Sequence, residues 1–368
     1  MKDKIKYLII GIIVIIAIIL IVVLKKDDSP TLIIGNVEVD DETQEIQETK
    51  VAGYHLVTYN QTANTNSIVK TIKVTASNAD NVRFVIGSID ENSFVVERMS
   101  FELECKQGEN EFDLSNKQYL VKQGEYLFMD DFGQDIIFTQ KNSKVKSLIQ
   151  TEENKNEGKM IVTESDCILP FSYVLEKIQE YKALVIGNDI TTKDGGRGLD
   201  STDDKLDYYY LTKTRLENEF GNLNISRINA KEWEISSDKN SHSEWINKNL
   251  QLKDVSGLNL VIFQLGDNYS VEKIEDLEEN ITNFVAYIQK YSPGAELIWI
   301  GPWNADEKIL LKLPSICEKL NIKYMAINDL YADDYKSLVS ENPEVYYPNN
   351  EAMQIIANRI AEILGIDF

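Results

Sequence analysis

Histidine occurs only twice in 368 residues, as His55 and His242. Imidazole is the side chain whose ordinary pKa suits proton transfer near neutral pH, so a Ser-His-Asp relay has only these two candidates for its base. His55 falls in a β-rich segment, and His242 lies in the polar run Ser-Asp-Lys-Asn-Ser-His-Ser-Glu-Trp, where it reads as a surface residue. Cysteine is nearly as scarce. Cys105, Cys167 and Cys317 are too few, and odd in number, for a disulfide framework. They read as buried thiols, with a Cys105–Cys167 bridge as the alternative. Basic residues are outnumbered, 38 against 60, for a formal charge of −22. Phosphate binding is driven by Lys and Arg, so this balance argues against nucleic acid and anionic membrane surfaces as partners. The glycines of Asp194-Gly-Gly-Arg-Gly198 lack the Gly-Lys-Ser/Thr ending of a phosphate loop. No cofactor or metal is implied, because Asp194, Asp200, Asp203 and Asp204 crowd one loop without EF-hand spacing and read as solvated.

A long apolar run occurs once. Residues 7–24 carry no charge and are dominated by Ile, Leu and Val. As a helix they would span ~27 Å at ~1.5 Å per residue, close to a bilayer core. Lys2, Lys4 and Lys6 precede the run, which predicts a cytoplasmic amino end. A cleaved signal peptide is the competing reading, but no Ala-x-Ala-like site follows, only Lys25-Lys-Asp-Asp-Ser-Pro30. The expectation is an uncleaved single-pass anchor and linker over 1–30, with the rest of the chain outside the cytoplasmic membrane.

Residues 31–178 change character. Segments 68–75, 81–87, 94–105 and 119–122 are short, β-branched or alternating, and are separated by Asn-Ala-Asp, Gln-Gly-Glu-Asn and Gln-Gly-Glu turns. That spacing predicts a β-sandwich. Tyr54, Tyr59, Tyr126 and Phe128 could stack on sugars, although aromatics on strands more often belong to the core. Phe171-Ser-Tyr-Val-Leu175 reads as the last sandwich strand, which sets the boundary near Tyr181.

The remainder, 180–368, is organised around Leu184-Val-Ile-Gly-Asn-Asp-Ile-Thr191, a buried strand delivering Asp189 to its carboxyl end. Two further apolar runs, 258–268 and 296–303, end in polar or Gly-Pro turns. Between them Ile274, Leu277, Ile281, Phe284, Val285 and Ile288 recur on one helical face, as do Ala352, Met353, Ile356, Ile360, Ile363 and Leu364 at the carboxyl end, after an Asn349 or Asn350 cap. Strand alternating with helix predicts a three-layer αβα fold on a parallel sheet, with its site at the carboxyl ends of the strands.

In this order the pieces resemble the SGNH (GDSL-like) hydrolase superfamily, over roughly residues 180–368. Gly187-Asn-Asp-Ile-Thr191 is similar to the bacterial first block Gly-Asn-Ser-Ile-Thr, with Asp189 at the position of the nucleophilic serine. Asp207-Tyr-Tyr-Tyr-Leu211 resembles the family's Asp-Tyr-Val-His-Leu helix start, and Asn229-Ala-Lys-Glu-Trp-Glu234 sits where the second block would be, without its glycine. Leu265-Gly-Asp-Asn268 resembles the third block, whose asparagine donates to the oxyanion, so the resemblance assigns oxyanion or ligand contacts to Asn268 and Gly266 there and to Asn229 of the second block. Glu344-Val-Tyr-Tyr-Pro-Asn-Asn-Glu-Ala-Met353 aligns with Asp-x-x-His-Pro-x-x-x-Gly-Met, so Tyr347 replaces the catalytic histidine and Glu344 the orienting aspartate. The resemblance implies an αβα sheet of flavodoxin-like order and, for the segment before it, a jelly-roll accessory domain of the kind that accompanies carbohydrate-active esterases.

These substitutions work against ester chemistry. An oxyanion donor is worth ~2.7–4 kcal/mol to acyl transfer, whereas a fixed negative charge ~4 Å from the oxyanion costs ~4 kcal/mol at an effective dielectric of ~20. A tyrosine with a reference pKa of ~10 is ~0.1% ionised at pH 7, which makes it a poor resting base. The expectation is an extracytoplasmic, esterase-like pseudoenzyme that binds a cell-wall or exopolysaccharide glycan, an acylated polysaccharide or an assembly partner. The alternative is an active carbohydrate esterase or acetyltransferase using another nucleophile, for which Ser201 is the nearest candidate. The same blocks predict a lock in which the Tyr347 hydroxyl donates to Asp189.

Overall fold

The computed structural model describes residues 62–76, 79–92, 94–130, 171–193, 203–236, 238–337 and 346–366, together with Gly198 and several short strands. The 7–24 run lies outside them, as do Ser201 and Glu344. Among the described residues no helix is long and apolar enough to cross a membrane.

The first unit is built from β1 (Ser67–Ala76), β2 (Asp80–Ile89), β3 (Val95–Cys105), β4 (Gly108–Asp113), β5 (Leu120–Val121), β6 (Tyr126–Asp130) and β7 (Phe171–Lys177). They form two antiparallel sheets. In one, β1 lies between β7 and β4, with β5 also paired to β1 and a strand at Thr31–Gly35 on the far side of β7. In the other, β2 lies between β3 and β6. Alternation along each strand sends Val69, Ile72 and Val74 from the first sheet, and Phe84, Ile86, Phe101 and Met129 from the second, into one shared core. Phe128 is fully buried beside Val85, so it is a packing residue. Cys105 and Cys317 are free buried thiols, and burial pushes them up to about 11 and about 12 respectively.

The last antiparallel strand ends at Lys177 and the first parallel one, β8 (Tyr181–Gly187), begins four residues later. It is followed by α1 (Tyr208–Phe220), β9 (Leu223–Asn229), α2 (Lys231–Ile235), α3 (Lys239–Asn249), β10 (Leu260–Gln264), α4 (Leu277–Tyr291), β11 (Glu296–Ile300), α5 (Glu307–Lys319), β12 (Lys323–Met325) and α6 (Asn350–Leu364). The sheet order is β9-β8-β10-β11-β12 and every pairing is parallel. That is the 2-1-3-4-5 order of flavodoxin-like folds, whose strand order reverses between the first and third strands.

Both sheet faces are covered. Leu184, Ile186, Phe263 and Trp299 pack against α3, α4 and α5. Their neighbours in sequence, Val185, Ile262 and Ile298, pack on the other side against α1 and α6. Helices α1 and α6 start on side-chain caps: Asp207 accepts from Tyr210 N at 2.7 Å and Asn349 from Ala352 N at 3.0 Å.

The sandwich docks on the amino ends of the parallel strands. Leu120 joins the α1/α6 core, Gly294 N donates to Lys117 O at 3.0 Å, and Lys122 Nζ donates to the Leu364 carbonyl at the end of α6. A Cβ on Gly294 would lie 2.4 Å from Lys117 O, so only glycine permits this approach.

Candidate active site

Gly187, Asn229 and Gln264 lie side by side in the sheet register. The residues just beyond them, Asp189, Lys231 and Gly266 to Asn268, therefore emerge at one end of the sheet, where the strand order reverses. Crevices of open α/β sheets form at this place, for reasons independent of any family likeness.

Asp189 sits in the turn after β8. The partner expected for it from the sequence is the Tyr347 hydroxyl; the partners found are Lys231 Nζ, 2.6 Å from one carboxylate oxygen, and Asn229 Nδ2, 3.0 Å from the other. Asn229 is itself fixed by accepting from Lys231 N at 2.9 Å. The hydrogen bond to Asp189 raises the Lys231 pKa above its ordinary value, burial opposes the shift, and the charges of Asp189, Tyr347 and Glu234 add to it. Tyr347 is thus near enough to add to the field at Lys231.

Deeper in the site, Glu234 of α2 is 2% exposed. Its Oε1 accepts from the Gly266 backbone N–H and, at 3.5 Å, from Asn188 Nδ2, while its Oε2 accepts from Asn268 Nδ2 at 2.6 Å. Gly266 has φ of +129°, which only glycine adopts readily, and its N–H is the one aimed at Glu234. A second carboxylate adjoins. Asp267 accepts from Asn188 Nδ2 (2.9 Å), Gln264 Nε2 (2.8 Å), Trp303 N (2.7 Å) and Asn304 N (3.0 Å). Burial, then the Asp267 charge, push the Glu234 carboxyl up to about 8, with the bonds from Gly266, Asn268 and Asn188 pulling it back. Asp267 is raised as well, by burial, against its four donors. Two carboxylates sharing one amide and little solvent cannot both ionise freely.

Gly266 and Asn268, to which the third block assigns oxyanion contacts, therefore meet on an internal carboxylate. Lys231 and Glu234 were not singled out by the blocks, although both lie in the quoted Asn229–Glu234 segment. Their roles follow from α2 folding back over the end of β10, a three-dimensional fact with no periodic signal.

His242 is not a surface residue. It is 4% exposed in α3, with Nδ1 2.8 Å from the Asp238 carbonyl and its ring edge-on to Trp233. Burial holds its pKa below the ordinary value. It packs on the Trp233 side of α2 and is not among the groups around Asp189. Asp207, the residue of the Asp-Tyr-Tyr-Tyr-Leu block, caps α1 and is buried against Arg227 NH1 at 2.6 Å. Among the described residues no group of three or more His, Cys, Asp or Glu is placed to hold a metal ion.

No protein-family model matches the sequence, and no curated protein does. Among solved structures the chain is similar to a two-domain esterase active on acetylated mannans, 16% identical, with a TM-score of 0.38 and a match spanning 50% of this chain and 49% of that one. It is also similar to a family two carbohydrate esterase from Cellvibrio japonicus (10% identity, TM-score 0.35, 92% and 96% of the two chains). An acetyl xylan esterase from Butyrivibrio proteoclasticus is comparable (11% identity, TM-score 0.33, 92% and 96%).

Proposed function

We propose that this protein is an SGNH-hydrolase-like pseudoenzyme, anchored in the cytoplasmic membrane by residues 7–24, whose extracytoplasmic site binds an acylated or unmodified surface glycan without cleaving it. One observation carries the reading: the Glu234 carboxylate lies on the Gly266 N–H and the Asn268 amide. An acyl-transfer site needs those donors free for the oxyanion, because they are worth most where charge develops. Asp189 supports the same reading, since its carboxylate accepts from Lys231 and Asn229 at the position where a nucleophilic hydroxyl is needed. What stays accessible is the Asp189–Lys231 pair and the Tyr347 ring, a donor-and-acceptor surface beside an aromatic that suits sugar hydroxyls.

The test is a screen of the purified full chain against acetylated oligosaccharides and a chromogenic acetate ester, alongside a binding assay on cell-wall and exopolysaccharide fractions. Saturable binding without turnover is expected. Ester turnover that survives Asp189→Ala would show an active enzyme with another nucleophile. The anchor has its own test: protease added to intact cells should leave a short membrane-bound stub.

A further inference from the structure

A polar cleft lies at the opposite end of the parallel sheet, where the two units meet. Its volume is about 280 Å³, and Arg98 and Ser100 from β3 face Gln289, Glu296, Asn321 and Lys323 across it. Arg98 is anchored from behind, its Nε and NH2 gripping both oxygens of Glu125 at 2.6 and 2.7 Å. Glu296 is 6% exposed and its Oε1 accepts from Lys323 Nζ at 2.5 Å. Its other oxygen, Oε2, is buried and has no hydrogen-bond partner. Arg98 NH1 stands 3.8 Å from Oε2 and Lys122 Nζ 4.0 Å, both beyond hydrogen-bond reach. Burial pushes the Glu296 carboxyl up, but Lys122, Lys323 and Arg98 together hold it below the ordinary range, so it is an ionised acceptor.

A buried charged oxygen left unmade costs more than most contacts return, so something is expected to fill this gap. The spacing suits a single oxygen that accepts from Arg98 NH1 and donates to Glu296 Oε2, which is what a hydroxyl does. Charge narrows the choice. An anion would meet the Glu296 carboxylate and a cation would meet Arg98, Lys122 and Lys323, so a neutral group is favoured. The volume corresponds to roughly nine waters at ~30 Å³ each, at the lower end of ligand pockets and suited to one sugar ring.

We propose that this cleft is a second binding site, separate from the Asp189 site, for a neutral polyhydroxy ligand of about one sugar ring, whose hydroxyl bridges Arg98 and Glu296 and ties the sandwich to the αβα unit. The experiment titrates the full chain with glycerol, glucose, mannose and N-acetylglucosamine, followed by saturation-transfer NMR and thermal unfolding. At least one compound should give a saturable signal and raise the melting temperature. Glu296→Gln should weaken it about tenfold, the cost of a charged hydrogen bond. Ser100→Phe, which fills the cleft without touching the ionic cluster, should abolish it even if the Glu296 variant folds poorly. The titrations are repeated in a Lys231→Ala background, which removes the contribution of the Asp189 site, so that the Ser100→Phe effect reads on the cleft alone. No saturable signal with any compound in that background overturns the proposal, as does binding there that survives Ser100→Phe. A crystal structure from sugar-soaked crystals with only ordered water between Arg98 and Glu296 overturns it too.

Discussion

Glu234 Oε2 lies 2.6 Å from Asn268 Nδ2, so the amide to which the resemblance to the SGNH third block assigns an oxyanion contact is already hydrogen-bonded within the chain, to a glutamate carboxyl. Installing the SGNH triad residues alone leaves that carboxylate in place. Asp189→Ser with Glu344→Asp and Tyr347→His should stay inert towards a chromogenic acetate ester. Adding Glu234→Ala, which frees Gly266 N–H and Asn268 Nδ2, should raise turnover by ~10²-fold or more, the scale of one oxyanion donor. Equal rates for the triple and quadruple variants would mean that the donors do not face the reacting carbonyl.

The same carboxylate should make stability depend on pH with a recognisable sign. Its folded pKa, about 8, stands above the ordinary 4.5. Its contribution is therefore complete below the unfolded value and is lost as pH rises through about 8. His242 works in the opposite sense, since its lowered pKa makes acidification below its ordinary 6.5 destabilising. Urea midpoints of the parent should fall between neutral and mildly alkaline pH. Glu234→Gln should flatten that fall, and an unchanged slope would place the titration on another group.

Much of this architecture is legible in the sequence because its signals are local. The β10 and β11 runs are uniformly buried, β8 is buried except at Lys182, and α4 and α6 carry clean apolar faces. The edge strand β9 was not legible, since Leu223–Asn229 alternates weakly between half-buried and exposed positions. Lys231, Glu234 and the burial of His242 escaped for a related reason. Each depends on α2 and α3 packing over the sheet end, where a short helix such as Lys231–Ile235 has too few residues to show a period. The motif blocks drew attention to Asp189, Asn229, Gly266 and Asn268 as positions in the chain. They could not say which donor meets which acceptor.

The buried pair of Asp207 and Arg227 offers a stability test away from the carboxylates of the site. The Asp207 side chain is 1% exposed and accepts from Arg227 NH1, Tyr210 N and Gly198 N. Arg227 also donates to the Thr191 carbonyl and lies 4.4 Å from the centre of the Tyr209 ring. Arg227→Met would strand a buried carboxylate, so a loss of ~3–5 kcal/mol is expected in denaturant melts. Asp207→Asn keeps the helix cap and should cost less. If the pair is coupled as drawn, the double variant should lose clearly less than the sum of the two.

The last prediction concerns the seam between the two units. Gly294 N donates to Lys117 O, and any side chain at 294 meets that carbonyl at 2.4 Å, which is backbone and cannot swing aside. Gly294→Val should therefore pry the sandwich loop from the αβα unit while leaving both cores intact. Lys122→Ala, which removes the bond to the Leu364 carbonyl, should do the same more gently. The parent should unfold in one calorimetric transition, because Leu120 is shared with the α1/α6 core and Arg98 reaches from the sandwich to Glu296. Gly294→Val should split it into two transitions with little loss of total enthalpy, since the apolar burial inside each unit is unchanged. A single transition merely shifted to lower temperature would mean that the sandwich and the sheet do not fold as separable units. Glu296 would then have to be counted within one continuous core.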